Sequence, residues 1–124
     1  MRYSFQFLCF SPRSFLLSRI LYHPSRKIST YFIVGLGGGY VEGEKYKYSI
    51  NLKEDARSII TTQASTKVYK CIHGEKTEQE TLISLEKNSI LEYITDSVIL
   101  YKDAIYKQVN NIYMNESAPL IYSD

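Results

Sequence analysis

The sequence has 124 residues, a mean hydropathy of -0.23 and a formal net charge of +2. This length accommodates one domain with a modest core and is too short for two domains that each bury a sufficient core. The nearly balanced charge does not indicate nucleic-acid binding or attachment to a membrane surface. Two cysteines, Cys9 and Cys71, are too few for a disulfide framework and favour a reducing compartment.

The first third of the chain differs from the rest in charge and in aromatic residues. Residues 1–41 carry five basic and no acidic side chains, whereas residues 42–124 carry 10 basic and 13 acidic ones. All five phenylalanines lie at or before Phe32, and every later aromatic residue is tyrosine.

The N-terminal segment offers two interpretations. Residues 5–22 are apolar, but a proline and two arginines interrupt them, so a membrane-spanning helix is not predicted. The Arg/Ser content and the lack of acids are also typical of an organelle transit peptide. We favour a poorly patterned basic segment over residues 1–18, followed by a β domain over residues 19–124.

Strand patterns dominate from residue 31 onward. Residues 31–34 (YFIV) form a short β-branched and aromatic run that glycines end. Residues 45–52 alternate polar and apolar side chains with period two, which predicts a strand and not a helix. The residues expected to share its apolar face are Tyr46, Tyr48, Ile50 and Leu52.

A strand–turn–strand unit occurs three times, at residues 52–60, 85–93 and 114–122. Each unit has an apolar residue, three polar turn residues and then a small residue. The first residues of the units, at 52, 85 and 114, are 33 and 29 residues apart, and Leu91 and Tyr93 match Leu120 and Tyr122. This recurrence predicts an all-β fold of stacked antiparallel hairpins, in a β-helix-like or two-layer arrangement. Chance similarity among β-hairpins is the alternative explanation.

The stack must also protect its last strand. Residues 120–122 (LIY) are strand-like and are followed only by Ser123 and Asp124. Because a sheet edge is normally capped or paired, we expect a partner or a continuing chain to cover this edge.

The glycine-rich turn at residues 37–44 (GGGYVEGE) does not fit a nucleotide site. Glu44 stands where a phosphate-binding loop requires lysine, and a strand follows instead of a helix. A turn that needs glycine backbone freedom is the structural interpretation. The functional one adds Glu44 as an oxygen ligand that relays a divalent cation. The candidate residues here are Gly38, Gly39, Gly43 and Glu44.

The threonine-rich run at residues 61–67 (TTQASTK) contains six hydrogen-bonding side chains. One interpretation is an exposed polar strand. The other is the lining of a hydrated interior, where hydroxyl and amide groups replace the water around a passing ion. No Ser/His/Asp arrangement accompanies the run. The candidate residues are Thr61, Thr62, Gln63, Thr66 and Lys67.

Cys71 and His73 are candidate metal ligands because a thiolate and an imidazole suit nickel, copper or zinc. Two ligands fall short of a closed site, so a solvent-exposed loop pair is the preferred interpretation. Glu92, Asp96 and Asp103 are further carboxylates, and a glycosidase pair among them is only weakly indicated.

In their order and spacing these motifs resemble the urease accessory proteins of the UreD (UreH) family. The resemblance covers about residues 19–124 and includes the segment 90–93 (ILEY). Further positions that match are Arg19, Tyr22, Ile99, Ala104, Tyr106 and Gln108. Residues 95–97 lack the proline usual there, and family members are roughly twice this length.

The resemblance implies an all-β, cytoplasmic protein that is not an enzyme and binds no stable cofactor. It implies partners, namely the urease apoprotein together with UreF-like and UreG-like accessory proteins, of which the latter is a GTPase. Nickel would be a transient cargo on a polar path. The residues expected to line or shape that path are Gly38, Gly39, Gly43, Glu44, Thr61, Thr62, Gln63, Thr66, Lys67 and Glu92. The alternatives are an inactive truncated remnant and a carbohydrate-binding β-repeat protein with tyrosine-rich faces.

Overall fold

A computed structural model describes residues 5–10, 15–23, 28–35 and 39–123 of the chain. The regular elements of these residues are eleven β-strands, so the all-β prediction is confirmed. The part of the chain that the structure describes contains no helix with the length and apolarity to cross a membrane. The strands are β1 (Phe5–Phe10), β2 (Phe15–His23), β3 (Ile28–Gly35), β4 (Lys45–Leu52), β5 (Arg57–Thr62), β6 (Thr66–Val68), β7 (Thr77–Leu85), β8 (Ile90–Ile94), β9 (Val98–Leu100), β10 (Tyr106–Met114) and β11 (Leu120–Ser123).

The strands wind into a solenoid with three faces. The first face has the order β1-β4-β7-β10, the second β11-β8-β5-β3-β2 and the third β6-β9. From β4 onward the chain visits the first, second and third faces in turn and then begins the next circuit. Strands one circuit apart pair in parallel, for example β4 with β7 and β7 with β10. From β4 onward, strands consecutive in sequence therefore lie in different sheets.

The sequence repeat is confirmed by the strand register. Leu52 pairs with Leu85, and Leu85 pairs with Met114. Leu91 pairs with Leu120, and Tyr93 with Tyr122. Each recurrence of the unit is therefore one full circuit of the solenoid.

The prediction of stacked antiparallel hairpins is wrong. Within the described residues the antiparallel pairs are β1 with β4 and β2 with β3, and the circuits themselves stack in parallel. Polar turns rich in Asp, Asn and Glu occur at solenoid corners as well as in hairpins, because both need backbone bends. The composition of a turn does not tell whether the next strand returns beside the last one.

The corner between the first and second faces shows what the repeated unit encodes. Asp55 and Asn88 have left-handed backbones, with φ of 63° and 58°, which aspartate and asparagine tolerate better than most residues. The small residue that follows is buried under the corner in every circuit. In each unit its backbone N–H donates to the carbonyl three residues earlier, at 3.1, 3.1 and 2.9 Å. These small residues are Ala56, Ser89 and Ala118.

The core fills the inside of the solenoid, as the alternation in β4 predicts. The predicted face of β4 is buried throughout, and β7 continues it one circuit further with the same alternation. The apolar end of this core stacks Ile50 on Ile83 and Leu52 on Leu85. At the other end of the same strands the buried side chains are polar, and these polar side chains form the candidate site.

Candidate functional site

The polar end of the interior is built from inward-facing positions of three neighbouring strands. In register, Tyr46 of β4 lies beside Gln79 of β7, and Tyr48 lies beside Thr81. All four are buried, although glutamine and threonine usually face solvent. We refer to the polar cluster as the interior polar network. Its members are Tyr40, Tyr46, Tyr48, Gln79, Thr81, Tyr106 and Gln108.

Hydrogen bonds connect the buried members of the network. The Tyr40 hydroxyl donates to Gln79 Oε1 at 2.7 Å and lies 2.7 Å from the Tyr48 hydroxyl. Because a tyrosine hydroxyl has one proton, Tyr48 is the donor toward Tyr40. Gln79 in turn donates from Nε2 to Thr81 Oγ1 at 3.3 Å. A buried polar group is tolerated when it is hydrogen-bonded in this way. The hydrogen bonds therefore explain how a polar cluster can lie inside the solenoid.

The network extends into the last described circuit through Tyr106. Its hydroxyl lies 3.3 Å from Gln79 Oε1 and 3.0 Å from Gln108 Oε1, and its single proton is donated to one of these two acceptors at a time. Gln79 and Gln108 are paired in the parallel register of β7 and β10. The polar groups therefore form a row that runs along the solenoid axis across successive circuits.

Tyr40 reaches the network because residues 39–44 of the glycine-rich turn form part of the first circuit. Its backbone bridges Val68 in parallel on the third face. The Tyr40 N–H donates to the Lys67 carbonyl at 2.7 Å, and its own carbonyl accepts from Tyr69 N at 3.0 Å. A Cβ added at Gly39 would lie 2.8 Å from the Lys67 carbonyl oxygen and from the Tyr69 ring. Glycine is thus required at position 39 by close approach.

Burial raises the pKa of Tyr40 well above its ordinary value of about 10, and the nearby Tyr48 hydroxyl adds to the shift. The buried environment disfavours the charged phenolate. Tyr40 is therefore a neutral hydrogen-bonding group throughout the physiological range.

This shift predicts an alkaline loss of stability. Because the folded pKa is raised, the contribution of Tyr40 is fully present below the unfolded pKa near 10 and is lost as pH rises above it. The loss is about 1.4 kcal/mol per pH unit for one such group. Urea unfolding between pH 9 and 11.5 measures it. Tyr40→Phe is expected to flatten the slope above pH 10, and Tyr113→Phe, at an exposed position, to leave it as in the unaltered chain. Equal slopes in all three proteins would contradict the assignment.

Glu44 lies at the edge of the network, at the start of the first face. The Tyr46 hydroxyl donates to its carboxylate, and the Tyr46 ring stacks on Tyr40 with centroids 3.7 Å apart. Val41 N donates to the same hydroxyl at 3.4 Å. Glu44, which the sequence singles out, is thus hydrogen-bonded directly to one of the buried tyrosines.

The threonine-rich run forms a corner and not one continuous polar strand. Thr61 and Thr62 end β5, residues 63–65 turn, and Thr66 begins β6. Thr62 Oγ1 donates to Asp96 Oδ2 at 3.1 Å and accepts from Asp96 N at 2.8 Å. This pair joins equivalent corners of two successive circuits.

The remaining predicted path residues do not converge on the interior polar network. The Gln63 side chain is exposed, while its backbone N–H donates to the Ile33 carbonyl at 3.2 Å. Lys67 is also exposed. Glu92 occupies an outward position of β8, between the buried Leu91 and Tyr93. Gly38 lies outside the described residues. Their role on a path stays a prediction.

Cys71 and His73 lie in the turn between β6 and β7, and their environments differ. Cys71 is buried, and its sulfur accepts from Ile105 N at 3.2 Å, so it joins two successive circuits. His73 is exposed, and its backbone N–H donates to the Glu42 carboxylate. The described residues contain no group of three or more His, Cys, Asp or Glu side chains that could hold a metal ion.

Gln79 and Thr81 are not among the residues that the sequence motifs single out. A usable signal exists, because both share the parity of Ile83 and Leu85 in the alternating strand at residues 77–85. Polar side chains at apolar-face positions are candidates for a buried network. They can be assigned to the interior only once parallel stacking on β4 is known.

Fold and site together define a class: a parallel β-solenoid scaffold with a tyrosine- and amide-lined interior. The sequence model of the UreD urease accessory protein family matches residues 11–124. The chain belongs to this family.

Individual relatives agree with the family match. Urease accessory protein UreD of Streptococcus thermophilus is 51% identical over 94 residues, which are 76% of this chain and 34% of the relative. UreD of Ureaplasma parvum is 53% identical over 91 residues, or 73% of this chain and 32% of the relative. UreD of Staphylococcus aureus is 34% identical over 115 residues, or 93% and 41%. The chain thus spans about a third of the length of these curated relatives.

Proposed function

We propose that this chain acts in urease maturation as a non-enzymatic scaffold through which nickel, a transient cargo, passes toward the urease apoprotein. The protein holds no resident cofactor and works with UreF-like and UreG-like proteins in the cytoplasm. The UreG-like partner supplies GTP hydrolysis, since Glu44 of this chain stands where a phosphate-binding loop requires lysine.

The observation that carries the proposal is the interior polar network. An interior built only for stability is filled with apolar side chains, because each buried polar group has a desolvation cost. Here hydroxyl and amide oxygens line up along the solenoid axis, through Tyr40, Gln79 and Gln108. Oxygen ligands of this kind can exchange for the water around a divalent ion.

Glu44 supplies the charge that a cation path needs at its edge. Its carboxylate contacts the network through Tyr46, so a cation held there lies next to the neutral oxygens of the interior. Neutral oxygens bind a divalent ion more weakly than carboxylates do, which suits release to a partner.

The test measures urease activation in cells. A urease operon lacking its own UreD receives a chimera of Streptococcus thermophilus UreD, in which this chain replaces the matched region. We expect Glu44→Ala and Gln79→Leu each to lower urease activity and the nickel content of purified urease. For Gln79→Leu the loss should reach about tenfold, since the hydroxyls of Tyr40 and Tyr106 lose a buried acceptor.

Glu80→Gln is the matched control, because this residue neighbours Gln79 on β7 but faces outward. It should leave activation unchanged, with chimera levels compared by immunoblot. Unchanged activation in both Glu44→Ala and Gln79→Leu would refute the path assignment. Loss of activation with normal nickel content would refute nickel passage and leave a docking role.

A further inference from the structure

Glu42, in the glycine-rich turn, joins the first circuit to the second through its side chain. Its Oε2 accepts from His73 N at 2.7 Å and from Glu75 N at 3.3 Å, and its Oε1 lies 2.9 Å from the same His73 N. A carboxylate binds the backbone N–H groups of a turn more strongly than a neutral acceptor does. Glu42 therefore holds the glycine-rich turn against the turn between β6 and β7.

Both turns bend sharply next to this contact. Gly43 has a left-handed backbone with φ of 76°, which glycine adopts at no steric cost. Gly74, between the two N–H donors, has a φ of 74°. A Cβ added at Gly43 would lie 2.6 Å from Glu75 Oε2, so the first turn lies directly against the second. The contact of Glu42 thus depends on the shape of both turns.

The contact lies beside the edge of the interior polar network. Glu44 follows Glu42 by two residues, and its carbonyl accepts from Glu78 N at 3.1 Å while its carboxylate accepts from the Tyr46 hydroxyl. Tyr40 precedes Glu42 by two residues, and its ring stacks on Tyr46. Within the described part of the chain, the hydrogen bonds of the Glu42 carboxylate go to backbone N–H groups of the neighbouring turn. Glu42 therefore touches the network only through the backbone on either side of it.

We propose that Glu42 is a positioning residue: it fixes the glycine-rich turn so that Glu44 and Tyr40 keep their places at the edge of the interior polar network. It is not itself a cation ligand, because both of its oxygens accept hydrogen bonds from the backbone. Without this contact the turn moves on its outer side, and the Glu44 carboxylate moves away from the Tyr46 hydroxyl. The inference rests on the proposed function, to which it adds a further residue.

Glu42→Gln distinguishes a role of position from a role of charge. Because Oε2 alone accepts from both His73 N and Glu75 N, the single amide oxygen of glutamine can keep both hydrogen bonds. Glu42→Ala removes both. In the chimera we expect Glu42→Ala to lower urease activation about tenfold and Glu42→Gln to stay within about twofold of the unaltered chimera. Equal losses in the two variants would assign the effect to the charge and overturn the proposal.

Glu86→Ala is the matched control, because Glu86 joins two circuits in the same way at the apolar end of the interior. Its Oε2 accepts from Glu54 N at 3.0 Å. Glu86→Ala should leave activation within about twofold, and circular dichroism checks that every variant is folded. A loss as large as that of Glu42→Ala would assign both effects to weaker stacking of the circuits and overturn the proposal.

NMR of the full 124-residue chain gives a measurement that does not depend on urease. The Tyr40 and Tyr46 rings stack with centroids 3.7 Å apart, so their ring resonances report the position of the turn. We expect these resonances to shift in Glu42→Ala and to stay in place in Glu42→Gln and Glu86→Ala. Unshifted resonances in Glu42→Ala overturn the proposal.

The two measurements together separate this inference from the proposed function. Shifted resonances in Glu42→Ala, with activation unchanged in both Glu42→Ala and Glu44→Ala, would support the role of Glu42 in placing the turn and refute the cation path. Lowered activation in Glu44→Ala, with neither reduced activation nor shifted resonances in Glu42→Ala, would leave the path in place and overturn the role of Glu42.

Discussion

Replacing Ile83 with alanine is expected to lower the free energy of unfolding by about 2–5 kcal/mol. Ile83 is fully buried in the middle of β7, stacked between Ile50 of β4 and Ile112 of β10. Its truncation removes apolar contact from three successive circuits. Neighbouring strands hold the cavity open, so little relaxation offsets the loss. Urea unfolding followed by circular dichroism measures the change.

Leu82→Ala is the matched control for this substitution. Leu82 is the preceding residue of the same strand, but it faces outward and is 40% exposed. Its truncation should cost less than about 1 kcal/mol. A similar cost for both variants would mean that the inward and outward faces of β7 are assigned wrongly.

The inward faces could be predicted because they follow from side-chain period alone. Residues 45–52 alternate without interruption, and a strand with one buried face places most of its apolar side chains on that face. The three corner units could be predicted for a similar reason, because their requirements are local. Each has a small buried residue, and in the first two a left-handed Asp or Asn precedes it. The strand register at Leu52 and Leu85 confirms the spacing.

The path of the chain between corners could not be predicted in the same way. A hairpin and a solenoid corner share their turn residues, and the deciding feature is the short third strand. In the sequence, β6 and β9 are only three residues each, which is too short to show a side-chain period. The 29- to 33-residue spacing contained the missing information, because two strands and a turn need about half that length.

To predict the candidate site from the sequence, one would also have to know the path of the chain between corners. Glu44 was identified from its position after the glycines, and the structure links it to the buried Tyr46. The partners of Tyr40, in contrast, are 8 and 39 residues away, at Tyr48 and Gln79. Only parallel stacking of β4 on β7 brings these hydroxyl and amide groups together, and no local pattern encodes that contact.

Gly39→Ala is expected to cost about 1–3 kcal/mol of stability and to displace Tyr40 from the interior. The added Cβ would lie 2.8 Å from the Lys67 carbonyl oxygen. This oxygen is held in place because it accepts a hydrogen bond from Tyr40 N–H. The Tyr69 ring lies equally close on the same side. The turn must therefore move away from β6, and Tyr40 moves with it. Urea unfolding gives the cost, and tyrosine resonances followed by NMR report the position of the ring.

Gly74→Ala is the control that distinguishes the steric clash at residue 39 from the strain of a left-handed backbone. Gly74 has a φ of +74° and nothing within 4 Å of an added Cβ, so alanine there meets only the strain of a left-handed backbone, about 1–2 kcal/mol. Both variants lose stability, but only Gly39→Ala should let Tyr40 ionise at a lower pH, because water then reaches its hydroxyl. If Tyr40 stays protonated at high pH in Gly39→Ala, the turn does not hold this ring in place. If it ionises, the glycine-rich turn serves to seat a tyrosine in the interior polar network.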